Sequence, residues 1–139
     1  RVLDVGASFA VPGIVLAIAR PDWPVTLLDA SQKKGAFVTQ AAIELALANV
    51  DVAIRRVEEF VAPDGYDIVI SRAFASLADF AAGALRHAAP HGHLYAMKGA
   101  MPDAEIAALP AHVEVVAARA VDVPDLDARR SIVEMRHVR

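Results

Sequence analysis

The chain opens on an apolar run broken by an acid, Val2-Leu3-Asp4-Val5-Gly6. It passes through Val11-Pro12-Gly13 into a helical pattern before a second apolar run closes on Asp29. A strand that breaks at glycine, starts a helix and is followed by a strand ending in a carboxylate is how a nucleotide-binding βαβ unit is written. The loop between the glycines is irregular as a motif. Ala7-Ser8-Phe9-Ala10 fills it, with Ser8 and Ala10 standing where a glycine-rich loop places glycine. Only a residue without Cβ freely takes φ > 0 and lets the backbone approach a ligand closely, so the fold signal is stronger here than the binding signal.

The same alternation continues down the chain. Strands are predicted at Val2 to Val5, Val25 to Leu28, Val52 to Arg55, Asp67 to Ile70 and His93 to Met97. Between them the spacing predicts helices over Pro12 to Ala19, Gln32 to Ala48, Leu77 to Ala88 and Asp103 to Leu109. Strand and helix alternating at this spacing imply an α/β fold, a mostly parallel sheet with helices on both faces. The ending differs. Val113 to Val123 and Ser131 to Val138 are extended runs joined by Pro124-Asp125-Leu126-Asp127-Ala128, a link too short for a crossover helix, so they should pair as an antiparallel hairpin at the sheet edge. Five parallel strands followed by an antiparallel pair is the layout of the Rossmann-like class I methyltransferases.

Composition narrows the classes further. With 139 residues the chain is expected to form a single domain, residues 1–139. Apolar residues make up 56% of it, yet no apolar run reaches the roughly 20 residues that cross a bilayer, and no basic segment with a cleavage site opens the chain. No membrane partner is expected, and a soluble cytoplasmic protein is. Cysteine is absent, which excludes disulfides and thiolate catalysis. A net charge of -3 argues against a broadly basic surface, so an RNA partner would need a local patch. Because the chain begins directly on a strand, it is expected to be a fragment or a truncated homologue.

In a doubly wound sheet, ligands bind outside the carboxyl ends of the strands near the switch point. The residues there are Asp4 and Gly6, Asp29, Arg56-Val57-Glu58-Glu59, Ser71-Arg72-Ala73, and Lys98-Gly99. Asp29 stands where a carboxylate accepts both ribose hydroxyls of a nucleoside; the plainer reading is a helix N-cap, since Ala30-Ser31 and a helix follow. Asp4 sits inside an apolar strand and must find donors, either turn amides or a ligand's ammonium. Glu58 or Glu59 can accept from an adenine amino group or simply be solvated. Arg72 holds a cation near the cleft or is surface. Lys98, Arg129 and Arg130 can grip phosphates, although charges near strand ends are usually just solvated.

These residues together resemble the RsmG (GidB) family. The match is carried by Asp4-Val5-Gly6 with Val11-Pro12-Gly13-Ile14, Thr26-Leu27-Leu28-Asp29, Lys33-Lys34, Arg56-Val57-Glu58-Glu59-Phe60, Ser71-Arg72-Ala73-Phe74-Ala75-Ser76-Leu77, Tyr95-Ala96-Met97-Lys98-Gly99 and Arg129-Arg130. It runs the length of the chain in order, and the Ser71 to Leu77 stretch is far more specific than any glycine loop. The resemblance implies a bacterial enzyme that uses S-adenosyl-L-methionine to methylate guanine N7 in 16S ribosomal RNA of the small ribosomal subunit. It implies that Gly6, Val11, Val57, Glu58 and Arg72 match cofactor-contacting positions, with Asp4 and Asp29 as the usual class I acids. Family members carry glycine at the positions of Ser8 and Ala10, many carry Arg at that of Thr39, and they begin with a helical segment that this chain lacks.

Guanine N7 has a lone pair and no proton to lose, so methylation there asks for alignment and desolvation rather than a general base. No catalytic base is expected. Ser71-Arg72-Ala73-Phe74 stands where enzymes acting on exocyclic amines carry an Asp/Asn-Pro-Pro-aromatic segment; Phe74 can stack on a base or belong to the core. Other readings remain. Ser8 in Gly6-Ala7-Ser8-Phe9-Ala10 resembles a nucleophile elbow, for which His112 and His137 are the only late histidines. His87, His91 and His93 can be read as metal ligands, but without Cys or an acid cluster a solvated loop and no metal are expected. A third reading is a non-catalytic remnant of the fold that binds RNA or a protein partner, favoured by Ser8 and Ala10. A monomer is expected.

Overall fold

The computed structural model describes residues 1–6, 12–72 and 75–139. Val11, Ser8, Phe9, Ala10 and Phe74, all singled out above, lie outside the described residues. Seven strands form one sheet: β1 (Val2–Val5), β2 (Val25–Asp29), β3 (Val50–Ile54), β4 (Tyr66–Ser71), β5 (Ala88–Lys98), β6 (Val113–Val121) and β7 (Arg130–His137). Their order is β3-β2-β1-β4-β5-β7-β6. The first five run parallel, and β7 pairs antiparallel with both β5 and β6. The expected hairpin therefore forms, with its second strand inserted next to β5. The chain moves outward from β1 to β3, then returns to the other side of β1 to lay down β4. That reversal creates the switch point between β1 and β4.

Alternation along the strands assigns the two faces. Val2, Val25 and Leu27 pack with Ile14 and Ala17 of α1 (Gly13–Ala19) and Val38 of α2 (Gln32–Glu44). Leu3, Val5, Leu28, Val69 and Leu94 pack with Leu77, Phe80, Ala81 and Ala84 of α3 (Leu77–Ala84) on the opposite face. Burying side chains of this size stabilises by roughly 1.5–3 kcal/mol each, which fixes the register of strands whose inward set would otherwise flip to solvent. A short α4 (Asp103–Ala107) follows β5. Its Glu105 carboxylate accepts from the Leu77 amide at 2.9 Å and meets the Lys98 ammonium at 2.9 Å, so one side chain ties the start of α3 to the end of β5.

Several boundaries differ from the sequence expectation, each for a local reason. α2 stops at Glu44, not Ala48. Ala46 turns the chain at φ 53°, its N–H reaching Ile43 O and the Leu47 N–H reaching Ala42 O, both at 3.0 Å. This is a Schellman motif with alanine where glycine is usual. α3 tightens after Ala84 into a 3-10 turn over Leu85–His87, and β5 then starts at Ala88 rather than His93. The register jumps from Tyr66↔Ala88 to Ile68↔His93, so Pro90-His91-Gly92 form a bulge inside the strand rather than a turn before it. β3 begins two residues early because Val50 pairs with Val25, and Pro12 precedes the first helical residue of α1 rather than being it.

Candidate active site

β1, β2 and β3 end side by side. The Gly6 N–H donates to Leu28 O at 2.9 Å and the Arg55 N–H to Asp29 O at 3.0 Å, so the three carboxyl ends stay in step. Gly6 then turns out of β1 at φ 74°, a conformation that side chains resist. Beyond these ends lies an open cleft of about 300 Å³, lined by Val5, Gly6, Asp29, Arg56, Val57 and Glu58 among others. It sits beside the switch point, where this architecture takes ligands.

Asp4 lies under the turn, 1% exposed. Its Oδ2 accepts from the Gly13 N–H at 2.8 Å, while Oδ1 is buried without a hydrogen-bond partner. Burial raises its pKa to about 6, although the Gly13 amide and the positive charge of Arg72 pull the other way, and the charge of Asp29 adds a smaller upward push. A buried acceptor left open costs roughly 1–3 kcal/mol, so a fold that retains one at a strand end is holding a place for a donor. Gly13 makes this geometry possible. A Cβ there would come within 2.2 Å of Leu27 Cδ2 and 2.7 Å of Asp4 Oδ2, so only glycine lets α1 sit against Asp4.

Asp29, half-buried at the end of β2, accepts from the Ser31 N–H through Oδ1 at 2.8 Å. Ser31, not Asp29, caps α2, its Oγ accepting from the Lys34 N–H. The N-cap reading of Asp29 therefore does not hold, and among the described residues Oδ2 remains an unused acceptor at the cleft. Val57 is half-buried against the core, and Glu58 is exposed on the cleft wall. Their loop is held from below by a residue the sequence did not single out for this role. His87 donates from Nε2 to Val57 O at 2.7 Å, and its ring lies 5.5 Å from that of Phe60. At 2% exposure His87 contradicts the expectation of a solvated loop: the 3-10 turn carries it under the segment 55–60. His91 is exposed as expected, and half-buried His93 pairs with Glu134, which Tyr95 also contacts.

Arg72 is exposed just past β4, close enough to stabilise the Asp4 carboxylate. Lys98 is not available as a bare phosphate contact, because its ammonium is committed to Glu105. Arg129 and Arg130 are exposed at the start of β7, and Arg130 lies with Arg72 on a second cavity described below. Glu59 is exposed, its N–H closing a turn on Arg56 O. Thr39 donates to Gly35 O within α2, away from these residues. His112 and His137 contact each other beside the Val113↔His137 pair, at the end of β6 and β7 remote from Gly6, so a hydrolase centred on Ser8 would have no histidine at hand. The non-catalytic reading rests on Ser8 and Ala10, which are outside the described residues.

A seven-stranded sheet of this order, with acids at the ends of β1 and β2 around a switch-point cleft, defines the class I S-adenosylmethionine-dependent methyltransferase fold. The chain superposes on the mitomycin 7-O-methyltransferase MmcR with a TM-score of 0.78 over 99% of its length and 48% of that chain, at 16% identity, a likeness of fold alone. Within that class the family is specific. The family model described as GidB, rRNA small subunit methyltransferase G, matches residues 1–133, and the chain belongs to this family. It is 50% identical over 139 residues to the ribosomal RNA small subunit methyltransferase G of Burkholderia ambifaria, covering 97% of this chain and 61% of that protein. Against the protein of the same description from Bordetella avium it is 50% identical over 136 residues, covering 98% and 60%. The chain thus spans about three-fifths of the length of the curated relatives it matches.

Proposed function

We propose that the 139 residues act as a single, monomeric methyltransferase domain that uses S-adenosyl-L-methionine to methylate guanine N7 in 16S ribosomal RNA, in the bacterial cytoplasm. The observation that carries this reading is the pairing of a nucleoside-sized cleft with two open acceptors, Asp29 Oδ2 at its wall and buried Asp4 Oδ1 beneath it. Family membership supplies the substrate class.

The residues suit the cofactor's chemistry. Asp29 is the group to accept the ribose hydroxyls, Val57 offers an apolar wall to the adenine, and Glu58 an acceptor for its amino group. Asp4 Oδ1 suits a buried ammonium, Gly6 presents backbone to the methionine end, and Arg72 offers a fork for its carboxylate. Val11, which matches a cofactor-contacting position of the family, belongs to this proposal by its place in the sequence alone. When bound, the cofactor supplies an electrophilic methyl group on a sulfonium sulfur. The chain's own task is then alignment and exclusion of water, since N7 brings a lone pair and no proton to remove. Despite the negative net charge, Arg55, Arg56, Arg72, Arg129 and Arg130 are all exposed at or near the strand ends that form the site, the local cationic patch an RNA requires. Lys98, paired with Glu105, serves that patch by anchoring the end of β5.

Transfer of labelled methyl groups to small ribosomal subunits that lack the modification tests this reading. The account expects label to appear as 7-methylguanine in the digested RNA, and to disappear with Asp29→Ala. Label in another nucleoside, or unchanged transfer by Asp29→Ala, overturns it.

A further inference from the structure

A second cavity, about 490 Å³, opens beyond Arg72 between the ends of β4 and β5 and the connection from β6 to β7. Met97 of β5 and Ile132 of β7, directly paired across the sheet, form its floor. Val121, Val123 and Leu126 supply the opposite wall, and Val123 and Leu126 are 37% and 42% exposed. These two apolar side chains are held by a turn. The Leu126 N–H donates to Val123 O at 3.1 Å, with Pro124 second and Asp125 third at φ 62°. That third position belongs to glycine in a turn of this kind, and a non-glycine residue there costs roughly 1–2 kcal/mol. Ser131 is already occupied, donating to Gly99 O at 3.2 Å. The donors left at the rim are Arg72 and Arg130, and among the described residues Arg72 meets no side-chain acceptor.

We propose that this cavity receives the target guanine, extruded from its RNA helix, with its faces against the apolar walls and its O6 toward Arg72. The proposal rests on the methyltransferase reading and names the acceptor subsite of the same centre. Enzymes that act on a ring atom of a stacked base take that base out of the stack into a pocket that reads its edges. Arg72 is common to this cavity and to the field around Asp4, so a base seated here lies next to the end of the cleft where Asp4 and Gly6 stand. The Hoogsteen edge of guanine carries only acceptors, O6 and N7, while adenine presents an amino donor in place of O6. A guanidinium therefore favours guanine. Because N7 must stay open to the methyl group, Arg72 donates to O6 alone instead of bridging both atoms. The exposed Asp122, Asp125 and Asp127 of the connection do not line the cavity, so they do not set its charge.

Methyl NMR of the whole chain tests this, with S-adenosylhomocysteine and guanosine 5′-monophosphate as separate probes. The nucleotide, at millimolar concentration, should saturably shift the methyls of Val121, Leu126 and Ile132. Adenosine 5′-monophosphate should bind about 10-fold or more weakly, the discrimination expected of one base-edge contact. Leu126→Trp, at an exposed turn position that the fold tolerates, should abolish the guanosine response and leave S-adenosylhomocysteine affinity unchanged. Absence of any response to guanosine 5′-monophosphate, shifts confined to Val5, Leu28 and Val57, or equal binding of the two nucleotides overturns the proposal. If the cavity methyls respond as expected while S-adenosylhomocysteine moves nothing, the cofactor reading falls and the guanine site stands.

Discussion

Replacing Asp4 by Asn should stabilise the chain in a pH-dependent way while weakening its cofactor site. Burial lifts the carboxyl from 3.8 to about 6 in the fold. The unfolded chain therefore gives up this proton first as pH rises, and the folded state holds it longer. The sign follows from linkage: the contribution of Asp4 is intact below pH 3.8 and is lost as pH rises through about 6. At about 1.4 kcal/mol for each pH unit between those values, the loss approaches about 3 kcal/mol. Asparagine cannot ionise, so Asp4→Asn does not suffer it. Whatever fixed cost its amide incurs beside Gly13 is the same at every pH. Urea unfolding of both proteins from pH 4 to pH 8 isolates the effect, because the paired carboxylates elsewhere titrate identically in the two and cancel. The stability difference, variant minus parent, should rise by up to about 3 kcal/mol across that window and level off above pH 7. A flat difference would mean that Asp4 is not desolvated as described, and a falling one would reverse the argument. The same substitution should weaken S-adenosylhomocysteine binding by at least about 10-fold, the worth of a charge-assisted contact.

Other substitutions probe the supporting geometry. Ala46→Gly should raise stability by about 1 kcal/mol in thermal unfolding, since Ala46 occupies a left-handed position that glycine takes without strain; a lower melting temperature would contradict the Schellman assignment. Gly13→Ala should cost about 1–3 kcal/mol or more in denaturant unfolding, because its Cβ would collide with Leu27 and Asp4, and a neutral result would refute the close approach of α1. His87→Phe keeps a ring against Phe60 but leaves Val57 O without its donor. It should lower stability by about 1–3 kcal/mol and weaken adenosine binding by calorimetry, whereas intact affinity would show that His87 does not position the cleft wall.

The parallel half of the fold was legible because its cues are local. Val2 to Val5 reads as a short buried strand and is one, and the acids that close β1 and β2 announce the cleft by position alone. The C-terminal hairpin could be read from the short link between two extended runs. Its placement, with β7 next to β5, could not, since hairpin pairing leaves open which strand joins the rest. The end of α2 was hidden because Leu45-Ala46-Leu47-Ala48 are all good helix formers, and nothing in their chemistry announces a turn at Ala46. Pro90-His91-Gly92 carries the composition of a turn but serves as a bulge. The support under the cleft was illegible for a different reason. His87 and Val57 are thirty residues apart, and Lys98 and Glu105 meet only because β5 ends beside α4. Such pairings depend on tertiary proximity and leave no periodic trace. Val123 and Leu126 read as parts of a connector, because the wall they form exists only once β7 stands beside β5.

The central claim, that the cleft between Asp29 and Val57 holds S-adenosyl-L-methionine, is tested most directly by calorimetric titration of the purified chain with S-adenosylhomocysteine, alongside Asp29→Ala. The account predicts saturable one-to-one binding by the parent and its loss in the variant, with the fold of both intact by circular dichroism. A folded parent that binds nothing, or an Asp29→Ala variant that binds equally well, would contradict it.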